Sequence, residues 1–164
     1  MNKTFALAAL AAVALSSTVA SAQAVRTERN ISLDLATQIA AATVADCSTK
    51  GYAVTATVVD RAGTVRAVLR ADNAGPHTLD ASRQKAYTSA SARNATTAML
   101  ETVQKNPGAA TLVDIPGFLV LGGGVPVRAG NDVIGAVGVG GAPAGAIDEQ
   151  CALAGIDKVK EALK

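Results

Sequence analysis

Large aromatic side chains are almost absent from this sequence, and their absence restricts how the chain can fold. It has two Tyr, two Phe and no Trp in 164 residues, and only Tyr52, Tyr87 and Phe118 lie beyond the first twenty-two positions. The core therefore has to be built from Val, Leu, Ile and many Ala, and such small side chains let neighbouring backbones approach closely. The chain also lacks the aromatic stacking platforms that single-stranded nucleic-acid binding requires.

The first twenty-two residues have the features of a secretory signal peptide. Lys3 supplies a positive n-region, the stretch from Phe5 to Leu15 is apolar or small, and Ala20-Ser21-Ala22 has small residues where a signal peptidase reads. This apolar run is shorter than the roughly 20 residues that cross a bilayer. We expect cleavage before Gln23, with Ala22-Gln23-Ala24 as a second candidate site, and a periplasmic or secreted protein with no membrane span.

The remaining residues, 23–164, match the usual size of one domain. They carry fourteen basic and thirteen acidic residues once Lys3 is set aside. This near-neutral balance argues against a polyanionic partner, including nucleic acid. We therefore expect one core, one functional site and no linker.

Cys47 and Cys151 are the only cysteines. Thiols tend to pair in the oxidising compartments that an exported chain enters, so we expect one disulfide between them. The alternative is two buried free thiols that only fill space. Neither cysteine has a His or Cys neighbour at metal-ligand spacing, and a zinc site is not expected.

Hydrophobic periodicity, helix caps and turn residues predict the order α-ββ-αα-βββ-α. The predicted helices are 33–50 capped by Ser32, 79–93 capped by Thr78, 96–105, and a last helix opened by Asp148. The predicted strands are 53–59, 65–69, 118–121, 125–127 and 133–139. Eleven of the fifteen glycines fall between Gly108 and Gly145, which indicates tight turns between the later strands. Because the strands come in runs, we predict an α+β fold with a five-stranded, largely antiparallel sheet and flanking helices.

His77 is the only histidine, and it follows Gly75-Pro76 just before the predicted cap Thr78. The positive end of a helix disfavours the charged imidazolium, so the neutral ring should be able to bind a metal. The alternative is a solvated loop histidine without a function.

Other candidate residues lie near His77 in the sequence. Asp80 and Lys85 could contact a ligand, whereas Asp60 is expected to form a turn and Arg70 to be a surface charge. No Lys-Ser/Thr follows Gly122-Gly123-Gly124, so a hairpin turn is favoured there over a phosphate loop. No catalytic triad or cofactor fingerprint is present.

Five separated blocks of the sequence are distinctive as a set. They are Val58-Val59-Asp60-Arg61-Ala62-Gly63, Asp72-Asn73-Ala74-Gly75-Pro76-His77-Thr78, Lys85-Ala86-Tyr87-Thr88, Gly122-Gly123-Gly124-Val125-Pro126-Val127 and Ile134-Gly135-Ala136-Val137-Gly138-Val139-Gly140-Gly141. Together and in this order they resemble the GlcG/HbpS family, and the resemblance covers nearly all of residues 23–164.

The resemblance implies a profilin-like domain that assembles into homo-oligomers, commonly octamers. It also implies that the helices carrying Cys47 and Cys151 run antiparallel on one face of the sheet, which would bring the two cysteines within bridging distance. Members of the family bind haem and some are linked to haem breakdown, while others are cytoplasmic or belong to glycolate or propanediol gene neighbourhoods.

With haem as the expected cofactor, the resemblance makes His77 the expected iron ligand and Met99 a candidate second ligand. Arg83, Lys85 and Arg93 could contact the propionates. The expected function is haem capture, buffering or sensing, with haem degradation as a side activity. Two alternatives remain open: an enzyme acting on a small organic acid or carbonyl compound through Asp80, Lys85 or His77, and a non-catalytic oligomeric subunit.

Overall fold

The computed structural model describes residues 25–164, and the predicted signal peptide with its cleavage sites lies outside the described residues. The helices and strands are α1 Leu33–Thr49, β1 Thr55–Asp60, β2 Val65–Arg70, α2 His77–Ala92, α3 Thr96–Lys105, β3 Gly124–Ala129, β4 Asp132–Gly140 and α4 Gly145–Asp157, with 3-10 turns over Pro107–Asp114 and Lys160–Leu163. Across residues 25–164, no helix has the length and apolar character needed to cross a membrane.

The sheet is antiparallel throughout, with the strand order β2-β1-β4-β3. This confirms the α+β class with an antiparallel sheet and flanking helices. The described residues form four strands, however, and the prediction of five was wrong.

The missing strand is the one predicted over 118–121. Its backbone bonds to side chains of the neighbouring helices instead of to a strand: the Leu119 N–H donates to the Thr88 hydroxyl, and the Leu121 carbonyl accepts from the Thr96 hydroxyl. These two hydrogen bonds satisfy backbone N–H and C=O groups that would otherwise pair with a neighbouring strand. Gly122-Gly123-Gly124 therefore leads from a loop into β3 and is not the hairpin turn that we expected.

The first helix and the first hairpin follow the sequence prediction closely. The Ser32 hydroxyl accepts from the Leu35 N–H at 3.2 Å and caps α1. The Asp60 carboxylate accepts from the Ala62 and Thr64 N–H groups at 3.0 and 2.9 Å, which holds the turn between β1 and β2.

The two faces of the sheet carry different side chains. Helices α1 and α4 cover the face that holds the main apolar cluster, whose strand members include Val58, Val127 and Val139. Helix α2 covers the opposite face through a smaller cluster that joins Ala86 and Ala90 to Val59 and Ala136. The alternation of side chains along each strand separates the two clusters.

The packing of α2 is close because the strands present very small side chains to it. At Gly138 an added Cβ would lie 2.1 Å from the Ser82 carbonyl oxygen and 2.4 Å from the Ala86 nitrogen. Beside this contact, the Thr57 hydroxyl hydrogen-bonds the Ser82 hydroxyl at 2.7 Å. The scarcity of large residues thus lets a helix backbone lie almost directly on the sheet backbone.

A disulfide joins Cys47 of α1 to Cys151 of α4, with 5.5 Å between the Cα atoms. Nearer the start of α1, Thr43 contacts Gly155, so the two helices run antiparallel. The predicted pairing and the predicted packing of these helices are both confirmed.

Candidate functional site

A cleft of about 340 Å³ opens where helices α2 and α4 begin. Its lining comes from three parts of the chain: one face of α2, the loop before β3, and the segment from the end of β4 into the first turn of α4. The lining residues are His77, Ala81, Lys85, Leu121, Gly140, Gly141, Ala142, Pro143, Ala144, Gly145 and Asp148. A second hollow of about 400 Å³ lies beside the end of α1, and its only charged lining residue is Asp72. The first cleft is therefore the better candidate site, because it brings an imidazole, an ammonium and a carboxylate together.

Lys85 lies on the buried side of α2 and is only 2% exposed. Its Nζ donates to the Val139 carbonyl oxygen at 2.9 Å and to the Asp148 Oδ2 at 2.7 Å. A buried ammonium is unfavourable unless it is paired and hydrogen-bonded, and these two acceptors meet that need. The ion pair connects α2, on one face of the sheet, to α4, on the other.

Asp148 was predicted to open the last helix, but α4 begins three residues earlier, at Gly145. The Asp148 side chain is buried instead of capping, and its Oδ1 accepts from the Ala142 N–H at 3.0 Å. Burial raises the pKa of the Asp148 carboxyl, while the Lys85 ammonium and the Ala142 amide act in the opposite direction. Gly123, with φ of 117°, makes room here, because a Cβ would lie 2.7 Å from the Asp148 Cβ.

His77 is the first residue of α2, and its side chain is exposed at the edge of the cleft. The predicted cap Thr78 does not cap the helix, and Pro76 occupies the cap position without a side-chain bond. The Thr78 hydroxyl instead donates to the Gly75 carbonyl and contacts the Thr55 hydroxyl of β1 at 2.6 Å. Among the described residues no group hydrogen-bonds the His77 ring. The ring lies against Gly75, where an added Cβ would be 2.7 Å from its Cε1 and 2.9 Å from its Nδ1.

The remaining predicted site residues do not line this cleft. Asp80 and Arg83 are exposed and pair with each other at 3.5 Å, and Arg93 is exposed at the far end of α2. Met99 is 7% exposed and belongs to the buried side of α3. The structure therefore brings together only His77 and Lys85 of the predicted set.

The sequence analysis gave other roles to two of the lining residues. Asp148 was interpreted as a cap and Leu121 as part of a strand, although Leu121 is 45% exposed at the cleft. The sequence of α2 did indicate that Lys85 is buried. Lys85 lies three residues after Ser82 and four before Ser89, which places all three on the same, buried face of the helix. A buried lysine requires an acidic partner, but nothing in the sequence identifies which of the acidic residues it is.

The side chains available as metal ligands indicate which kind of metal centre the cleft could hold. Within residues 25–164 no three His, Cys, Asp or Glu side chains are grouped so that they could bind a bare metal ion. A single imidazole in a cleft that Leu121 and Pro143 also line suits a metal that brings its other ligands with it, as haem iron does. The residues present therefore fit an axially ligated haem better than a protein-only metal site.

Comparisons with known proteins show which family this chain is similar to. The family model described as haem degrading protein HbpS-like matches residues 31–157. GlcG of Escherichia coli strain K12 is 35% identical over 114 residues, which cover 70% of this chain and 84% of that protein. An uncharacterised 15.0 kDa protein of Citrobacter freundii is 36% identical over 115 residues, covering 68% and 80% of the two chains.

Solved structures of other proteins have a similar three-dimensional fold. A double mutant of HbpS from Streptomyces reticuli superposes with a TM-score of 0.79 at 36% identity, covering 94% of this chain and 98% of that one. PduOC, solved in complex with haem, has a TM-score of 0.70 at 23% identity over 78% and 94% of the chains, which indicates a shared fold. From its sequence, its antiparallel sheet and these relatives, the chain belongs to the HbpS-like family, the GlcG/HbpS family that its sequence blocks resemble.

Proposed function

We propose that this protein is exported and binds haem, acting in haem capture, buffering or sensing, with His77 as the iron ligand. The observation that carries the proposal is the position of His77. It is the only imidazole of the chain, and it lies exposed at the edge of the candidate cleft without a hydrogen-bond partner among the described residues.

The family supports haem as the ligand class, because its model is described as haem degrading protein HbpS-like. A protein of the same fold, PduOC, has been solved in complex with haem. When bound, haem would supply redox and oxygen chemistry, and the protein would set the axial ligand and the polarity around the iron.

Different residues of the cleft would have different roles in binding haem. His77 would present a ring nitrogen to the iron, and Leu121 with Pro143 would cover apolar ring edges. The opposite charges of Lys85 and Asp148 compensate each other, so this part of the cleft is polar but carries no net charge. Arg83 does not line the cleft, so its contact with a propionate stays a prediction.

A homo-oligomer is part of this proposal. The cleft, at about 340 Å³, is near the lower end of the usual range for ligand pockets. A macrocycle as large as haem would therefore keep part of its surface uncovered in one chain, and a second copy is the cover that we propose. Sedimentation of the haem-loaded protein should show a species larger than one chain, and a monomer at micromolar concentration would contradict this part of the proposal.

Haemin titration tests the ligand. We expect a Soret band that saturates at one equivalent in the unaltered protein and is lost or strongly broadened in His77→Ala. Asp80→Asn is the matched control, since Asp80 is exposed on the same helix and does not line the cleft. An unchanged spectrum and affinity in His77→Ala would rule out His77 as the iron ligand.

Export is tested separately. Expression of the full chain in a Gram-negative host, followed by N-terminal sequencing of the periplasmic fraction, should give a protein that begins at Gln23, or at Val25 if the second site is used. A protein that stays in the cytoplasm with Met1 intact would contradict the proposed export.

A further inference from the structure

The sheet of the described residues has two edge strands, β2 and β3, and they differ in how far the protein closes them. An edge strand leaves a row of backbone N–H and C=O groups without partners, and another extended chain can pair with them. A protein that closes one edge and leaves the other open therefore indicates where an added strand could bind.

The edge of β3 is closed by the protein itself. The Val139 N–H donates to the Gly123 carbonyl, so by the alternation of an antiparallel ladder Gly124 and Pro126 face away from β4. The Gly124 N–H donates to the Thr96 hydroxyl at 2.8 Å, and Pro126 has no N–H. These two outward positions therefore offer no donor to a further strand.

The edge of β2 is open. The Ala71 N–H donates to the Val54 carbonyl, so by the same alternation Val68 and Arg70 direct their N–H and C=O groups away from β1. Every residue of β2 except Ala67 is exposed. Helix α1 packs against β2, whereas α2 packs mainly on β1, β3 and β4, so neither helix covers this edge.

The side chains of β2 indicate which kind of chain would fit. Arg66 and Arg70 are exposed, and the strand has no acidic residue. Within residues 25–164 neither arginine forms an ion pair. The strand also exposes Val65, Val68 and Leu69, by 42, 43 and 37%. The open edge is therefore both positively charged and apolar.

A second copy of β2 is a poor partner for this edge. Antiparallel pairing of two copies centred on Val68 would place Arg66 of each copy opposite Arg70 of the other. Like charges directly opposite each other destabilise a strand pair, whereas opposite charges stabilise it. The charge of the edge thus favours an acidic chain over a copy of itself.

We propose that the edge of β2 binds a short extended segment of a partner protein, in which acidic residues alternate with apolar ones. The segment would add a strand beside β2, with main-chain hydrogen bonds to Val68 and Arg70 and carboxylates near Arg66 and Arg70. The register shift near the start of β2 limits regular pairing to 67–70, so the added strand is short. No residue of β2 lines the candidate cleft, and the inference does not depend on haem binding.

A capped peptide of alternating Glu and Val is the probe, and a peptide of alternating Lys and Val is its control. At low salt, where surface charges are least screened, we expect the Glu peptide to cause saturable NMR shifts of the Val68 and Arg70 amides. The exchange of these two amides with solvent should also slow, because they become hydrogen-bonded. The Lys peptide should cause neither change.

Two variants separate the backbone contribution from the charge. Val68→Pro removes an outward N–H and no bond to β1, at a position where an edge strand accommodates proline. Arg66→Glu reverses one charge and leaves Arg70, whose guanidinium donates to the Ala74 carbonyl. Lys158→Glu, the same change of charge at the exposed end of α4, is the matched control. We expect the affinity for the Glu peptide to fall by about tenfold or more in the first two variants and to stay unchanged in the third.

Melting curves establish which variants are folded, and if Val68→Pro is not, the comparison of Arg66→Glu with Lys158→Glu decides. The absence of shifts with the Glu peptide, equal binding of the two peptides, or equal affinity of the unaltered protein and Arg66→Glu would overturn the proposal. Amides of Val68 and Arg70 that become protected with rising protein concentration, without peptide, would also overturn it, because a second copy would then occupy the edge. A protein that fails to bind haemin but binds the Glu peptide at β2 would contradict only the haem proposal.

Discussion

The disulfide between Cys47 and Cys151 should supply a large share of the stability of this protein. The two residues are 104 positions apart, so the bridge closes most of the folded chain into one loop. For a loop of about 100 residues the chain-entropy relation gives roughly 4.7 kcal/mol at 25 °C, within an observed range of about 0 to 5. That amount approaches the whole stability of a small domain, which is about 5–15 kcal/mol.

Urea unfolding of three samples would measure this contribution: the oxidised protein, the same protein reduced in denaturant and refolded, and Cys47→Ala/Cys151→Ala. The reduced sample keeps both buried side chains, so its difference from the oxidised sample isolates the cross-link from the loss of packing. We expect the oxidised form to be more stable by about 3–5 kcal/mol, with a melting point higher by roughly 10–20 °C. A difference below about 1 kcal/mol between oxidised and reduced protein would refute the entropic argument.

Further predictions concern the packing of α2 and the buried ion pair. Gly138→Ala should destabilise the fold by about 3 kcal/mol or more in urea unfolding, because the new methyl would lie 2.1 Å from a backbone oxygen of α2. Gly108→Ala is the control and should change stability little, because the nearest atom there is a flexible side-chain oxygen at 3.3 Å. Lys85→Met should cost about 3–5 kcal/mol by leaving the Asp148 carboxyl buried without its counter-charge, and Lys85→Met/Asp148→Leu should recover most of that loss; a double variant no more stable than Lys85→Met would count against this account. Because burial raises the pKa of Asp148, this carboxyl contributes stability fully below the ordinary aspartate pKa and loses it as pH rises through the raised folded value. The difference in unfolding free energy between the unaltered protein and Asp148→Asn should therefore shrink as pH rises across that window, and a difference that grows would show that the pKa is lowered instead.

The buried pair also has a consequence for the site. Lys85 and Asp148 connect a helix on one face of the sheet to a helix on the other, and both line the cleft. A ligand bound at this cleft would add contacts to groups that already hold the two layers together. Ligand binding at this cleft is therefore expected to raise the melting point, which links the stability measurements to the binding tests.

Elements with local signals could be predicted from the sequence. Ser32 precedes a helical pattern and caps α1, and Asp60 precedes a glycine and forms the turn of the first hairpin. Such features depend on a few neighbouring residues and their backbone preferences, so they can be recognised without the rest of the fold. The disulfide was predictable for another reason, because only two cysteines are present and they had no other partner.

Tertiary structure alone decided the features that depend on distant contacts. The run at 118–121 has the composition of a strand, but the hydroxyls of Thr88 and Thr96 bond its backbone and keep it out of the sheet. Asp148 has the composition of a helix cap, yet it is buried against Lys85, sixty-three positions away. Each local pattern was compatible with two outcomes, and the choice between them depends on polar groups that folding brought together.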